Sequence, residues 1–186
     1  MIKVGVIGAN GFLGLELLRI LSIHPKVEII KILKREDDIE EEFTHLSSLN
    51  LNDIQTSSIN DFKDLDCVFI SLPHGSANEY VEELIDKVKI IDLSSDYRIN
   101  DNNSYDKYYK SSFNPEIQKK FIYGFIEKSI HDIKNASNIA NPGCFALASQ
   151  LAILPFHSLI DNISITAITG SSGGGKASSK KNHHSI

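Results

Sequence analysis

Tryptophan is absent, methionine occurs once, and the two cysteines, Cys67 and Cys144, stand 77 positions apart. Two such distant thiols make no disulfide framework, so a reducing compartment, the cytoplasm, is the expected setting. No apolar run approaches the roughly 18 residues of a membrane-spanning helix, and no membrane partner is expected. The first residues pass straight into an apolar strand, so no signal peptide is expected either. A positive surplus is also lacking. The formal charge is −5, and the one basic cluster is Lys176, Lys180 and Lys181. That balance argues against nucleic acid as a partner. Internal repeats are missing as well. With 41% hydrophobic and 23% charged residues in 186, the chain can form one large globular domain, or one domain and part of a second.

What is present begins with Ile2–Ile7, a short run rich in β-branched residues that reads as a buried parallel strand. Gly8-Ala9-Asn10-Gly11-Phe12-Leu13-Gly14 follows, then apolar residues at helical spacing from Leu15 to Leu21, closed by His24-Pro25. Val27–Leu33 reads as a second strand, completing a βαβ unit with glycines in its first turn. Such glycines permit the tight bend, the approach of a pyrophosphate to the backbone, and close packing of helix on strand. The spacing is G-x-x-G-x-x-G rather than G-x-G-x-x-G, so a tight turn without a ligand is the competing reading. The end of the second strand is where a dinucleotide site reads the adenosine ribose. Lys34 and Arg35 come first there and favour the 2′-phosphate of NADP, whereas Glu36 and Asp37 would suit a 2′-hydroxyl.

Glu36–Glu42 is a charge run suited to a solvated face, and residues 44–58 are polar, with one short strand expected near Ile54. Asp66–Leu72 reads as another buried strand with Cys67 in its core, ending in Pro73-His74-Gly75-Ser76 and a helical pattern from Ala77 to Ile85. The carboxyl ends of strands are where doubly wound sheets bind ligands, so His74 is a candidate for ribose or nicotinamide, or else a plain turn residue. Val88–Leu93 is a further strand, followed by Ser94 and Ser95, hydroxyls that suit a cofactor edge or any turn. Residues 100–112 read as a polar, Tyr-rich loop, Asn114-Pro115 as the start of a short helix, and Ser129–Asn135 as a polar helix.

A strand at Asn138–Ala140 delivers Asn141-Pro142-Gly143-Cys144, and a helix from Phe145 to Leu154 follows, ended by Pro155. A cysteine at the first turn of a helix faces unpaired N–H groups and the positive end of the dipole, which favours the nucleophilic thiolate. A buried structural cysteine is the alternative. Ile163–Thr169 reads as a strand, and Gly170-Ser171-Ser172-Gly173-Gly174-Gly175-Lys176 as a glycine-rich loop. That loop nearly spells a phosphate-binding loop, but Ala177 stands where a magnesium-ligating Ser or Thr is required. Adjacent His183 and His184 diverge and form no metal site with any visible partner cluster, so no metal is expected. Strands alternating with helices to about residue 140 predict an α/β fold, a doubly wound parallel sheet of Rossmann type. Residues 1–143 are expected to form the nucleotide-binding domain, and 144–186 the beginning of an incomplete α+β catalytic and dimerisation domain.

Taken in order, Gly8–Gly14, Leu72–Gly75, Asp92-Leu93-Ser94-Ser95-Asp96-Tyr97-Arg98, Tyr123-Gly124 with Glu127, Ala140–Cys144 and Gly170–Gly174 resemble N-acetyl-γ-glutamyl-phosphate reductase of arginine biosynthesis, within the wider semialdehyde dehydrogenase family. The resemblance implies NADP(H) as cofactor and Cys144 as the catalytic nucleophile. It implies cofactor contacts from Gly8, Asn10, Gly11, Phe12, Leu13, Gly14, Leu72, Pro73, His74, Gly173 and Gly174, beside the strand-end candidates Lys34, Arg35, Ser94 and Ser95. Substrate contacts are implied for Glu127, Asn141 and Ser171. The implied reaction reduces a small-molecule acyl phosphate through a cysteine thioester to a semialdehyde, releasing phosphate.

The family's acid–base histidine lies further along than this sequence extends and falls on none of its seven histidines. An N-terminal part with incomplete turnover is therefore expected, homo-oligomeric at full length. Two alternatives stand beside the arginine-pathway reading. His183-His184 and the nearby lysines resemble relatives that reduce a carrier-linked aminoadipate or glutamate phosphate for lysine biosynthesis, and a dinucleotide-binding module without chemistry is the other.

Overall fold

The computed structural model describes residues 1–34, 51–56, 58–109 and 114–174. Six strands form one sheet in the order β2-β1-β3-β4-β6-β5: β1 (Ile2–Ile7), β2 (Val27–Leu33), β3 (Cys67–Ile70), β4 (Lys89–Asp92), β5 (Phe121–Tyr123) and β6 (Asn138–Ala140). Every pairing is parallel. All carboxyl ends therefore meet on one edge, and the chain reverses its direction of travel between β1 and β3. That reversal is the switch point where an open parallel sheet leaves a crevice.

Side-chain alternation along the strands builds a core on each face. Val4 and Val6 of β1 pack with Leu18 and Leu21 of α1 (Phe12–Ser22), while Ile7 joins Val68 and Ile70 of β3 and Val81 and Leu84 of α3 (Asn78–Leu84) on the other. Helices on both faces of a parallel sheet are the expected doubly wound arrangement. Burying a side chain such as Leu18, Leu84 or Ile90, each fully buried, contributes about 2 kcal/mol.

Four elements differ from the sequence expectation. Around Ile54 the chain forms α2 (Leu51–Ile54), and Gln55 makes a single parallel bridge to Ile32 instead of a strand. The Tyr-rich stretch is a helix, α4 (Asn102–Tyr109), because Asp101 accepts from the Ser104 amide at 2.8 Å and Tyr105 is buried to 1% exposure. Strand β5 was not expected at all. Lastly, Ile163–Thr169 is no strand: every residue from 161 to 174 is exposed, and among the described residues none forms a ladder with it. A strand needs a partner for its amides and carbonyls, and β-branched residues alone do not supply one.

The short α5 (Pro115–Gln118) starts where expected, its amides at Glu116 and Ile117 accepted by Asn114 Oδ1 behind a proline at the first position. Helix α6 (Ile126–Asn135) precedes β6, and α7 (Cys144–Ile153) follows it. Among the described residues no helix is long and apolar enough to cross a membrane.

Candidate active site at the carboxyl edge of the sheet

The first turn of the site leaves β1 at Gly8, whose φ of +79° and whose closeness to the Ser71 carbonyl oxygen both exclude a side chain. Gly14, inside α1, would drive a Cβ into the carbonyl oxygens of Gly8 and Ala9, the latter at 2.8 Å. Between them Gly11 meets only the Gly8 oxygen, at 3.7 Å, so the space above the turn is open to a close-approaching ligand. Helix α1 starts behind Gly11 with no side-chain cap and no acidic residue in its first turn. A glycine cradle opening onto uncapped amides fits the pyrophosphate of a dinucleotide. Gly8 and Asn10 are buried, and Phe12 and Leu13 stand exposed at the helix start. Lys34 follows β2 on the same edge, while Arg35 lies outside the described residues.

On the other side of the crevice, β3 runs into Leu72, Pro73 and His74. Leu72 belongs to the core, and Pro73 and His74 are exposed. Gly75 adopts φ +84° with open space around it. This turn is pinned by Asp96, which is almost fully buried. Its carboxylate accepts from the amides of Gly75 at 2.7 Å and Ala77 at 3.1 Å, and it lies 2.6 Å from His74 Nδ1. His74 also contacts Ser95 Oγ at 2.9 Å and the Tyr109 carbonyl at 3.2 Å, and its ring lies 4.5 Å from that of Tyr109.

Ser94 and Ser95 divide in role. The Ser94 hydroxyl is buried, donating to Asp92 Oδ2 at 2.8 Å and accepting from the Asp96 amide at 3.1 Å, whereas Ser95 is half-buried. Asp92 itself is fully buried, and burial pushes its carboxyl up to about 6 despite the Ser94 hydrogen bonds and the nearby Arg98.

Next to β4 in the sheet, β6 leads into Asn141, whose amide donates to the Asp92 carbonyl at 2.7 Å. Gly143 caps α7 without a side-chain hydrogen bond, and Cys144, at the first helical position, is exposed. Among the described residues Cys144 is therefore not a buried core residue, whereas Cys67 is half-buried against the core and burial pushes its thiol up to about 11. Glu127 is exposed in the first turn of α6, on the segment leaving β5.

Sequence reasoning missed Arg98, whose Nε donates to the Asn141 carbonyl at 2.7 Å and whose Nη2 donates to the Leu93 carbonyl at 2.8 Å. Its position at the end of the Asp92–Arg98 stretch was the available signal. Ser171, Gly173 and Gly174 form an exposed 3₁₀ turn, and among the described residues no hydrogen bond joins them to the sheet edge. Gly175, Lys176, Lys180, Lys181, His183 and His184 lie outside the described residues, as does the charge run Glu36–Glu42.

Residues 3–136 match the family model described as semialdehyde dehydrogenase, NAD binding domain. The chain belongs to this family. Among its relatives, a protein of Pyrococcus horikoshii named as a LysW-L-2-aminoadipate/LysW-L-glutamate phosphate reductase is 38% identical over 179 residues, covering 95% of this chain and 53% of that protein. The N-acetyl-gamma-glutamyl-phosphate reductase of Halothermothrix orenii is 37% identical over 195 residues, covering 98% and 56%. The chain thus spans about half the length of the curated relatives it matches. Aspartate semialdehyde dehydrogenase II of Vibrio cholerae superposes with a TM-score of 0.55 over 85% of this chain and 47% of its own, at 19% identity, which shows a shared fold. The family's domain is a nicotinamide-dinucleotide one, in agreement with the glycine turn, and the resemblance read from the ordered motifs is borne out.

Proposed function

We propose that this chain is the nucleotide-binding and nucleophile-bearing part of an NADP-dependent acyl-phosphate reductase, which yields a semialdehyde and phosphate. One observation carries the reading: an exposed cysteine at an uncapped helix start shares the carboxyl edge with a glycine cradle shaped for a dinucleotide.

The Sγ of Cys144 bonds to the carbonyl carbon of the acyl phosphate, the carbon–oxygen bond to phosphate breaks, and phosphate departs with the electron pair, leaving a thioester. Amides in the first turn of α7, which no side chain caps, stabilise the negative oxygen that develops on the way. The thioester carbonyl accepts a hydride more readily than a carboxylate would, and a reduced nicotinamide, when bound, supplies that hydride. Gly8, Gly11 and Gly14, with Asn10, Phe12 and Leu13 beside them, hold the pyrophosphate. Lys34 and Arg35 are the proposed partners of the 2′-phosphate by their place after β2 in the sequence, and Leu72, Pro73, His74, Ser94 and Ser95 supply the other side of the cofactor site. Glu127, Asn141 and Ser171 hold the acyl chain, and Gly173 and Gly174 contact the cofactor.

N-acetyl-glutamyl 5-phosphate is the proposed substrate, giving N-acetyl-glutamate 5-semialdehyde. The carrier-linked aminoadipate or glutamate phosphate is the second reading, favoured by the P. horikoshii relative, whose identity is as high. In the full-length protein, phosphate-dependent NADP reduction by each semialdehyde separates the two. Replacing Cys144 with Ser is expected to lower either rate at least about a thousandfold and to abolish the acyl adduct on that residue seen by mass. Undiminished turnover in Cys144→Ser, or no adduct in the wild type, refutes the thioester route, and dinucleotide binding without turnover in the wild type leaves a binding module without this chemistry.

A further inference from the structure

The helix that carries Cys144 is held in an unusual way. Its residues are mostly apolar, yet none is buried, and Phe145 and Leu151 are 46% and 38% exposed. Helix α1, by contrast, buries Gly14, Leu18 and Leu21 against the sheet. Among the described residues, polar ties reach α7 and the turn before it. Gln150 Nε2 donates to the Tyr123 hydroxyl at 2.9 Å midway along the helix, and the turn before Cys144 is tied to the end of β4.

Arg98 is the centre of that second tie. Its guanidinium donates through Nε to the Asn141 carbonyl and through Nη2 to the Leu93 carbonyl, so one planar group joins the ends of β6 and β4. Both acceptors are backbone, and a rigid fork can reach two such points where a lysine ammonium cannot. Gly143 supplies an independent sign of the same contact. Its φ of −70° is open to any residue, so its backbone does not require glycine. A Cβ there would instead lie 2.9 Å from Arg98 Nη1, and that atom is its nearest neighbour. The residue before the cysteine is small because the guanidinium lies against it.

We propose that Arg98 is a positioning residue for Cys144, locking the Asn141–Gly143 turn to the end of β4 so that Sγ is presented over the first-turn amides of α7. The proposal rests on Cys144 being the nucleophile, and it concerns the geometry of that thiol rather than the identity of the acyl group.

The test compares Arg98→Lys, Arg98→Met and Gly143→Ala in the full-length protein. Gly143→Ala keeps the charge and displaces the guanidinium from the other side, because the flexible end of Arg98 yields before the backbone does. Labelling of Cys144 by neutral iodoacetamide reads presentation of the thiol, and the ratio of iodoacetate to iodoacetamide rates reads the charge beside it. Mass analysis assigns the label, with the half-buried Cys67 reacting slowly. Positioning predicts that Arg98→Lys and Gly143→Ala each slow labelling about fivefold, leave the ratio unchanged, and lower kcat about tenfold with little change in KM. Labelling at the wild-type rate or faster in both overturns the proposal. So does a fall confined to Arg98→Met with a changed ratio, which assigns Arg98 a role through charge alone. Thermal melting of each variant monitors the fold, and Gly143→Ala decides alone if the Arg98 variants do not fold. Labelling is independent of turnover, so active Cys144→Ser would remove the acyl-phosphate reading and leave this measurement standing.

Discussion

Asp92 offers a direct test of how the site's foundations are built. Its carboxyl is fully buried, with Ser94 donating from both amide and hydroxyl, and burial lifts it from an ordinary 3.8 to about 6. The folded state therefore holds its proton more tightly than the unfolded chain. Between about pH 4 and pH 6 folding takes up protons, and stability contributed by this group is fully present below 3.8 and lost as pH rises to 6. At about 1.4 kcal/mol per unit, a rise of this size amounts to roughly 3 kcal/mol of destabilisation above pH 6. Asn at this position accepts the Ser94 amide bond and carries no charge, so Asp92→Asn is expected to match the wild type near pH 4 and exceed it by up to about 3 kcal/mol at pH 7.5. Urea unfolding of both proteins from pH 4 to 8 gives the difference directly. Exposed carboxylates with lowered values, Glu16, Asp101 and Glu116, act in the opposite direction but cancel between the two proteins. A difference that stays flat with pH would refute the reasoning, showing that Arg98 and Ser94 compensate the buried charge in full.

Two further outcomes follow from the crevice. Gly14→Ala pushes a methyl group into the Gly8 and Ala9 carbonyls, so a loss of about 2–3 kcal/mol is expected by thermal or urea unfolding, with weakened dinucleotide binding. Lys34→Ala is expected to raise the Kd of NADPH about tenfold and that of NADH by less than twofold in fluorescence titration, since one charge-assisted contact to the 2′-phosphate is removed. An equal loss for both would remove Lys34 from that role.

The legibility of this fold in its sequence varied with length and burial. Strands β1 to β4 are mostly apolar runs that each bury core residues, and α1 and α3 keep a 3.6-residue period, so the positions of these elements were plain. Strand β5 is three residues long behind Lys119 and Lys120, too short to carry a pattern. Helix α4 reads as polar because its order comes from Tyr105, buried beside the rings of His74 and Tyr109, a contact set by distant residues. The stretch Ile163–Thr169 had the residue types of a strand, but among the described residues none pairs with it. In the site, glycines and the cysteine announced themselves by residue type and placement. Arg98 did not, because its work is done on carbonyls of Leu93 and Asn141, the second 43 positions away, where no side-chain motif marks the acceptor.

The near-contact between Gly8 and the Ser71 carbonyl has a consequence for altering cofactor choice. The loops after β1 and β3 touch through backbone, and Leu72 closes on the same glycine from the core side. Neither loop can change length or path without its neighbour's consent. A transplant that exchanges the glycine turn alone between two such proteins would carry a mismatch into the crevice, whereas exchanging both loops keeps their shared surface. In this molecule the unit of inheritance for dinucleotide recognition is the pair.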